Sequence, residues 1–223
     1  MFISETHFTD KNCLEINGYN FYHTQHPSGK VRGDTGIIIK SSIKHYKLPS
    51  LQKDYLQATN VAIEDCHGTI TTSAVYCPPR HSIAKEDFDN FIDALGNRFI
   101  AGEDYNVKHT QWGGRLVTVR GKNLLSSIIT NNLNYLTTYE PTYCPTNTNK
   151  IPVLLDFFIT KNISPRYVQI NSSADPSSDH SPVIATVSST IIENPPNGFI
   201  HNQLTNRQLF RESLITQLQP QFH

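Results

Sequence analysis

The sequence lacks an excess of charge of either sign. Its 19 lysines and arginines equal its 19 aspartates and glutamates, so the formal net charge is zero. A protein that holds nucleic acid through a wide electrostatic surface is usually basic. Composition therefore gives no support to nucleic-acid binding, but it does not exclude an enzyme that meets DNA at one local site.

Paired cysteines and long apolar runs are absent as well. Cys13, Cys66, Cys77 and Cys144 have no spacing typical of a zinc site or a disulfide framework, which favours free thiols in a reducing compartment. No segment approaches the roughly 20 apolar residues of a membrane span, and the first residues do not have the regions of a signal peptide. We therefore expect an intracellular protein with no membrane partner.

What the sequence does contain is mostly strand-like. Runs rich in Ile, Val, Thr and aromatic residues favour half-buried strands. The predicted strands are Ile37–Lys40, Thr59–Ile63, Thr69–Tyr76, Arg98–Ala101, Val153–Thr160, Tyr167–Ile170 and Pro182–Val187. Helical spacing occurs in Phe88–Leu95 and Leu124–Leu133, and in a third candidate, Phe210–Leu218, beyond the linker-like Asn194–Gly198. Many strands with few helices predict packed sheets with helices outside.

Two polar positions near the end of the domain suggest chemistry. Asp156 interrupts the otherwise apolar run Val153–Ile159. An unpaired buried carboxylate is costly, so it persists mainly where a site uses it; the alternative is an acid on the solvent side of the strand. Asp179 and His180 precede the last predicted strand, where an acid–histidine pair suits proton transfer or a phosphate contact, or is simply solvated.

Further polar groups follow strand ends. Gly102–Asn106 comes directly after a predicted strand, so Asp104 and Asn106 could orient water and a phosphate oxygen; an Asx-type turn is the alternative. Glu5 ends a short apolar start and could anchor a magnesium ion, which commonly keeps several waters. Tyr76 stands at the end of a strand that two prolines terminate, where packing is the simpler explanation.

The order of these features is more specific than any one of them. Together they resemble the endonuclease/exonuclease/phosphatase superfamily, which includes pancreatic-type DNases, abasic-site endonucleases and inositol polyphosphate phosphatases. The segments that carry the resemblance are Ser4-Glu5-Thr6-His7, Tyr76-x-Pro-Pro, Gly102-x-Asp104-x-Asn106, Asp156 in its apolar run, and Ser178-Asp179-His180-Ser181-Pro182. The surroundings of Asn106–Gly113, Glu140–Tyr143 and Leu155–Ile159 are similar to the endonucleases of insect non-LTR retrotransposons of the jockey and R1 types.

This resemblance implies a fold and a domain division. The expected fold is an α/β class, DNase-like, four-layer sandwich of two packed mixed β-sheets flanked by helices. Residues 1–189 would form this domain, without the strand and helix that usually precede the Ser-Glu-Thr-His segment. Residues 190–223 would be a linker and helical tail that leads towards a reverse transcriptase region.

The resemblance also implies roles for a set of catalytic residues. Asp104 would activate or orient the attacking water, with Asn106 on a phosphate oxygen. Tyr76 would contact the same phosphate. His180, steadied by Asp156, would stabilise charge in the transition state, because an acid behind a histidine fixes its tautomer and orientation.

Metal and substrate contacts follow from the same resemblance. Glu5 would hold Mg²⁺ or Mn²⁺, Asp179 would shape the metal side, and Thr142 and Ser178 would support the substrate-binding rim. The expected function is nicking of target DNA, in the nucleus, to prime reverse transcription, with the element's reverse transcriptase and RNA as further partners.

One departure from the family pattern leaves alternatives open. A small residue, usually glycine, precedes the catalytic aspartate in the family, whereas this sequence has Glu103 before Asp104. An extra acid adds repulsion near a phosphate. A catalytically impaired retrotransposon remnant is therefore one alternative, and an abasic-site nuclease or phosphatase of the same superfamily is the other.

Overall fold

The protein is described here from a computed structural model, which covers residues 1–8, 14–30, 32–147, 149–173, 178–188 and 190–192. The strands are β1 (Phe2–Ser4), β2 (Tyr19–Thr24), β3 (Thr35–Lys40), β4 (His45–Lys47), β5 (Leu51–Lys53), β6 (Leu56–Asp65), β7 (Gly68–Tyr76), β8 (Phe99–Asp104), β9 (Asn134–Leu136), β10 (Asp156–Lys161), β11 (Val168–Ser172) and β12 (Val183–Val187). The helices are α1 (Lys85–Leu95) and α2 (Val119–Thr130), with short 3₁₀ turns at Thr110–Trp112 and Pro165–Tyr167.

A seven-stranded mixed sheet forms the centre of the molecule. Its strand order is β4-β6-β7-β8-β10-β9, and β5 also pairs with β6. The β6–β7 hairpin turns at Asp65–Gly68, as the sequence predicts, and β7 and β8 are parallel. A parallel pair needs a crossover connection, and here the connection contains α1. The same ends of β7 and β8 therefore point to one rim of the sheet.

Both α-helices cover one face of this sheet. The apolar stripe of α1, which consists of Phe88, Phe91, Ile92 and Leu95, is buried in the largest apolar cluster. Leu124 and Ile128 of α2 join the same cluster. Helix α1 lies where the i, i+3, i+4, i+7 spacing predicts it. Helix α2 overlaps its prediction, but it begins at Val119 and ends at Thr130, so Leu133 lies beyond the helix.

The opposite face is covered by two small antiparallel sheets, β1-β3-β2 and β11-β12. Ile37 and Ile39 of β3 pack on Val61 and Ala74 of the central sheet. Val168 of β11 joins a second cluster with residues of β7, β8 and β10. The predicted α/β sandwich is confirmed, with the second sheet layer in two pieces.

A cleft of about 730 Å³ separates these two pieces and ends at the rim. Its walls come from β1 on one side and β12 on the other, and its floor includes Ile100 and Phe158. Within the described residues, β1 is paired only with β3, and β12 only with β11. Glu103, Asp156 and His180 line the cleft, so an apolar channel leads directly to acidic and basic groups.

The structure corrects several strand boundaries. Strand β6 begins at Leu56 and not at Thr59, and β8 continues to Asp104, so Gly102–Asp104 belongs to the strand that it was predicted to follow. Val153–Thr160 is predicted as one strand, but β10 begins at Asp156. Val153 instead forms a bridge with Tyr143, and the Thr142 hydroxyl accepts the backbone N–H groups of Leu155 and Asp156. Asp156 is thus the first residue of β10 and does not lie in the middle of a strand.

Several elements fall outside the sequence predictions or outside the described residues. Strands β1, β2, β4, β5 and β9 are found where no strand is predicted. The third helix candidate, Phe210–Leu218, and most of the predicted tail lie outside the described residues. In the part of the chain that is described, no helix has the length and apolar character needed to cross a membrane.

Candidate active site

The register of the central sheet brings three predicted site residues side by side. Tyr76 lies opposite Asp104 across the parallel β7–β8 pair, and Asp104 lies opposite Asp156 across the antiparallel β8–β10 pair. Neighbouring strands are about 4.8 Å apart. The three side chains therefore belong to adjacent strands at one rim, although the sequence separates them widely.

Asp104 is the most buried acid of this row, with 3% of its surface exposed. Its two carboxylate oxygens accept hydrogen bonds from Asn106, one from the backbone N–H at 2.8 Å and one from Nδ2 at 2.6 Å. Asn106 has a left-handed φ of 49°, so the chain turns back over the carboxylate. This is the Asx-type turn expected from local sequence, and here it also holds the carboxylate in one orientation.

Asp156 and His180 form the predicted acid–histidine pair. Asp156 Oδ2 and His180 Nδ1 are 3.0 Å apart. The loop that carries His180 is fixed by a bridge between His180 and Tyr143, whose rings lie 4.9 Å apart. Because Nδ1 faces Asp156, Nε2 is the ring nitrogen that can meet a substrate.

Thr142 ties these segments together from below the rim. Its side chain is fully buried, and its hydroxyl accepts the backbone N–H groups of Leu155 and Asp156 at 3.0 Å each. Its carbonyl accepts the N–H of Ser181. The Ser178 hydroxyl accepts the N–H of His180 at 3.1 Å. Both residues thus fix the positions of the acid and the histidine by contacts with the backbone.

Glu5 reaches the same rim from β1 and contacts Tyr76. The Tyr76 hydroxyl donates a hydrogen bond to Glu5 Oε1. Glu5 itself is exposed, and its backbone N–H donates to the carbonyl of Asp34 at 2.9 Å. The carboxylate of Glu5 is therefore held at the solvent side of the row, where a cation can reach it.

Backbone strain concentrates around these residues. Eight non-glycine residues of the described chain have a positive φ, and five of them belong to this rim or its supports: Glu5, His7, Asp34, Glu103 and Asn106. Left-handed conformations of non-glycine residues each cost on the order of 1–3 kcal/mol and collect at functional sites. The backbone strain is therefore a second indication, besides the residue types, that this rim is a functional site.

The charges at the rim have strongly shifted proton affinities. Burial raises the pKa of the Asp104 carboxyl well above its ordinary value, and the negative charge of Asp156 adds to the shift. Desolvation would lower the pKa of His180, but the hydrogen bond and charge of Asp156 outweigh it and raise that pKa to about 9. His180 is thus an imidazolium at neutral pH, and Asp104 has a proton affinity suited to accepting a proton.

Glu103 is the departure from the family pattern, and the structure explains why glycine is usual there. Its φ is 113°, a conformation that favours glycine. Glu103 lines the cleft beside β1, together with Ser4. Burial, followed by the charge of Asp156, raises the pKa of Glu103 to about 7.

The donor set at the rim suits a hard cation only in part. Glu5 offers an exposed carboxylate, which matches an ion that takes oxygen ligands and keeps several waters. Asp179 is also exposed, beside His180. Among the described residues no three His, Cys, Asp or Glu side chains are grouped as a metal site. A magnesium ion here would rely on Glu5, water and substrate oxygens.

Comparison with known proteins decides the family. The sequence profile of the family described as endonuclease–reverse transcriptase matches residues 70–184, just over half of the chain. The chain belongs to the endonuclease–reverse transcriptase family. Curated relatives agree with this assignment: the RNA-directed DNA polymerases from the mobile element jockey of Drosophila funebris and Drosophila melanogaster are 34% and 37% identical over 196 and 195 residues, 88% and 87% of this chain.

Other members and neighbours extend the comparison. The chain spans about a fifth of the length of these jockey relatives, 21% in each case. Among solved structures, the endonuclease domain of TRAS1, a telomere-specific non-LTR retrotransposon, has a TM-score of 0.64 at 20% identity, with 77% of this chain and 81% of that chain covered. The AP endonuclease LMAP from Leishmania major has a TM-score of 0.67 at 13% identity, covering 83% of this chain and 77% of that one. These likenesses establish the DNase-like fold of this family member.

Sequence reasoning missed three residues that shape the site. Asp34 is fully buried and supports Glu5 through its carbonyl, while its carboxylate accepts the N–H of His26. Arg120 is buried in the first turn of α2 and contacts the loops that follow β7 and β8. The Tyr143 ring packs against the His180 ring at a tilt of 51°. No local pattern marks any of the three, because their partners are backbone groups or rings of segments remote in the chain.

Proposed function

We propose that this domain is a divalent-metal-dependent endonuclease that hydrolyses one phosphodiester bond of DNA. The observation that carries the proposal is the row Tyr76–Asp104–Asp156, with His180 behind it and Glu5 in front. A phosphodiester is an anion, so its hydrolysis needs an activated water and neutralisation of developing charge. The rim offers a proton acceptor, an imidazolium and an exposed carboxylate within one row.

The two carboxylates of the row have different environments and therefore different tasks. Asp104, with its raised pKa, takes the proton of the attacking water, and Asn106 holds it in position. Asp156 stays paired with His180. The His180 imidazolium then donates a hydrogen bond to a phosphate oxygen and stabilises its growing charge. The Tyr76 hydroxyl contacts the same phosphate.

The metal in this proposal is Mg²⁺, with Mn²⁺ as a substitute. Glu5 would hold it, and Asp179 would shape the electrostatics on that side. When bound, the ion would supply Lewis-acid neutralisation of a phosphate oxygen. Glu5 is kept in place by Tyr76 and by the backbone of Asp34.

The biological role proposed is the first cut of retrotransposition. The nick would supply a primer end for reverse transcription, and the partners would be target DNA, the element's reverse transcriptase and its RNA, in the nucleus. The support is the likeness to jockey polyproteins, whose names describe RNA-directed DNA polymerases.

A plasmid-nicking assay tests this function. We expect supercoiled plasmid to become open circles in the presence of Mg²⁺ and to stay supercoiled in excess chelator. Asp104→Asn and His180→Ala should each lower the rate by on the order of 10²-fold or more. Asp54→Asn and His67→Ala are matched controls, since both residues are exposed and lie outside the rim.

The same assay separates the alternatives. Cleavage of an abasic oligonucleotide but not of intact plasmid would replace nicking with abasic-site repair, and release of phosphate from a phosphoinositide would indicate a phosphatase. No metal-dependent activity on any of the three, from a folded protein, would identify an impaired remnant. Full nicking in chelator would remove the metal from the proposal.

A further inference from the structure

Arg120 has an unusual environment for a charged residue. It lies in the first turn of α2 with only 8% of its surface exposed. Its guanidinium donates to four backbone carbonyls: those of Cys77 at 3.3 Å, Asn106 at 3.4 Å, Pro78 at 2.8 Å, and His81. No acidic oxygen of the described residues lies within 4.0 Å of it. The cation is thus satisfied by peptide dipoles from two separate loops.

These two loops carry catalytic groups of the proposed site. The carbonyls of Cys77, Pro78 and His81 belong to the loop directly after Tyr76, and the carbonyl of Asn106 belongs to the loop directly after Asp104. Cys77 is also tied to β8, since its N–H donates to the carbonyl of Asp104 at 2.9 Å. One rigid, planar guanidinium therefore sets the distance between the loop of Tyr76 and the loop of Asn106.

A second observation shows that the start of α2 is fitted to the same loop. Thr118 caps the helix by accepting the N–H of Gly121, and its own N–H donates to the carbonyl of Lys108 at 3.0 Å. A Cβ at Gly121 would lie 2.2 Å from that carbonyl oxygen. The helix can approach the loop only because this position is glycine, and the approach brings Arg120 within reach of Asn106.

The fold takes the charge of Arg120 out of water. Burial is the main cause that lowers the pKa of Arg120. A buried cation that served packing alone could be replaced by an apolar side chain at little cost. A cation that bridges two catalytic loops cannot, because an apolar chain removes one hydrogen-bond donor from each of four buried or partly buried carbonyls.

We propose that Arg120 is a positioning residue for phosphodiester cleavage, acting through Tyr76 and Asn106. It holds the loops of these two residues so that the Tyr76 hydroxyl meets the phosphate while Asn106 keeps the Asp104 carboxylate in its orientation, and it does not touch DNA. This inference rests on the proposed function. A misplacement near 1 Å at such a site costs about 10²-fold in rate, so the predicted deficit is in kcat.

The test compares Arg120→Lys with Lys122→Met in the plasmid-nicking assay. Arg120→Lys keeps the charge but cannot bridge two loops, whereas Lys122 is an exposed base on the same helix. We expect Arg120→Lys to lower kcat per folded molecule by about 10- to 100-fold, with KM for DNA within about twofold of wild type. Lys122→Met should keep kcat. Wild-type kcat in Arg120→Lys would overturn the proposal, and a deficit confined to KM would make Arg120 a DNA contact instead.

Two further variants cover the case in which a buried substitution reduces folding. Gly121→Ala leaves every charge in place and should lower kcat as well, because its methyl displaces the Lys108 carbonyl. Arg120→Ala should regain part of its kcat when millimolar guanidinium is added, which a purely structural loss would not show. Absence of both effects would overturn the proposal.

Amide hydrogen exchange keeps this proposal separate from the proposed function. Arg120→Lys should accelerate exchange at the amides of Cys77, Arg80 and His81 and of residues 104–108 together, relative to Lys122→Met. If the wild-type protein does not nick DNA, the proposed function fails, and this exchange result alone decides whether Arg120 holds the two loops. If the wild type nicks and exchange is unchanged in Arg120→Lys, the positioning role fails by itself.

Discussion

The two ends of strand β8 place acids in opposite environments. At the start, Arg98 makes a two-pronged ion pair with Asp65 of the neighbouring hairpin, at 2.9 and 2.6 Å. Hydrogen bonding to Arg98 lowers the pKa of Asp65 to about 2. At the other end, Glu103 and Asp104 lie among further acids, and burial raises both pKa values.

The environments of these acids indicate different roles for the two ends of β8. The hairpin end satisfies its carboxylate with a dedicated cation near solvent, which is the arrangement that costs a fold least. The rim end crowds Asp104 against Asp156 and shares one imidazolium, His180, between them. Strongly shifted pKa values of this kind collect at catalytic sites. Substitutions at the rim end should therefore affect mainly catalysis, and substitutions at the hairpin end should affect mainly stability.

The largest expected effect is on catalysis at the rim end. Asp156→Asn keeps the shape but removes the charge that holds His180, and loss of such an orienting acid costs about 10- to 100-fold. The free energy of unfolding should fall at neutral pH, because the charge that raises the pKa of His180 in the folded protein is removed. Nicking rate and thermal melting on the same sample measure both. A full-rate Asp156→Asn enzyme would mean that the Asp156–His180 pair has no catalytic role.

The pH profile should show the same pair. The folded pKa of His180 is about 9 and the ordinary value is 6.5, so its contribution to stability is complete below pH 6.5 and is lost as pH rises through about 9. If the imidazolium stabilises the transition state, nicking falls about tenfold per unit above pH 9. In Asp156→Asn this fall should move towards pH 6.5. A profile that does not move contradicts the pairing.

Glu103 should give a smaller change, measured as stability. Its folded pKa is about 7 and its ordinary value is 4.5. The contribution of Glu103 to the free energy of unfolding is therefore fully present below pH 4.5 and is lost as pH rises through about 7. Glu103→Gln should flatten this pH dependence, and Glu103→Gly should in addition relieve the positive φ, a gain on the order of 1–3 kcal/mol. Equal melting of both variants at pH 7 would show that the backbone is not strained.

The smallest effect is expected at the hairpin end. Asp65→Asn breaks a partly exposed ion pair, so the free energy of unfolding should fall by at most about 1 kcal/mol, or about 2–4 °C in Tm. The contribution of Asp65 is present above pH 3.8 and is lost as pH falls towards its folded pKa of about 2. Nicking should be unchanged. A large loss of nicking would show that the two ends of β8 are coupled.

Local pattern predicted much of the fold. The spacing of Phe88, Phe91, Ile92 and Leu95 places α1, and the β6–β7 hairpin turn is found at the predicted residues. Strands β1 and β2 were missed because β1 has only three residues and β2 is mostly polar, so neither shows clear alternation. The start of β10 was placed too early because apolar residues continue through a segment that a bridge to Tyr143, not a strand, holds.

The sequence alone determined the residue types of the candidate site and their order, because the family resemblance depends on Glu5, Tyr76, Asp104, Asp156 and His180 as they stand in the chain. These residues remain predictions as catalytic groups.

Only the tertiary structure decided which of them meet and in what state of protonation. Strand register aligns Tyr76, Asp104 and Asp156, and burial together with neighbouring charge sets the proton affinities of Asp104 and His180. The role of Arg120 also depends on the tertiary structure alone. Its partners are backbone carbonyls, which every residue has and which no sequence pattern can mark. Distances and desolvation arise from segments remote in the chain, and local pattern contains no information about either.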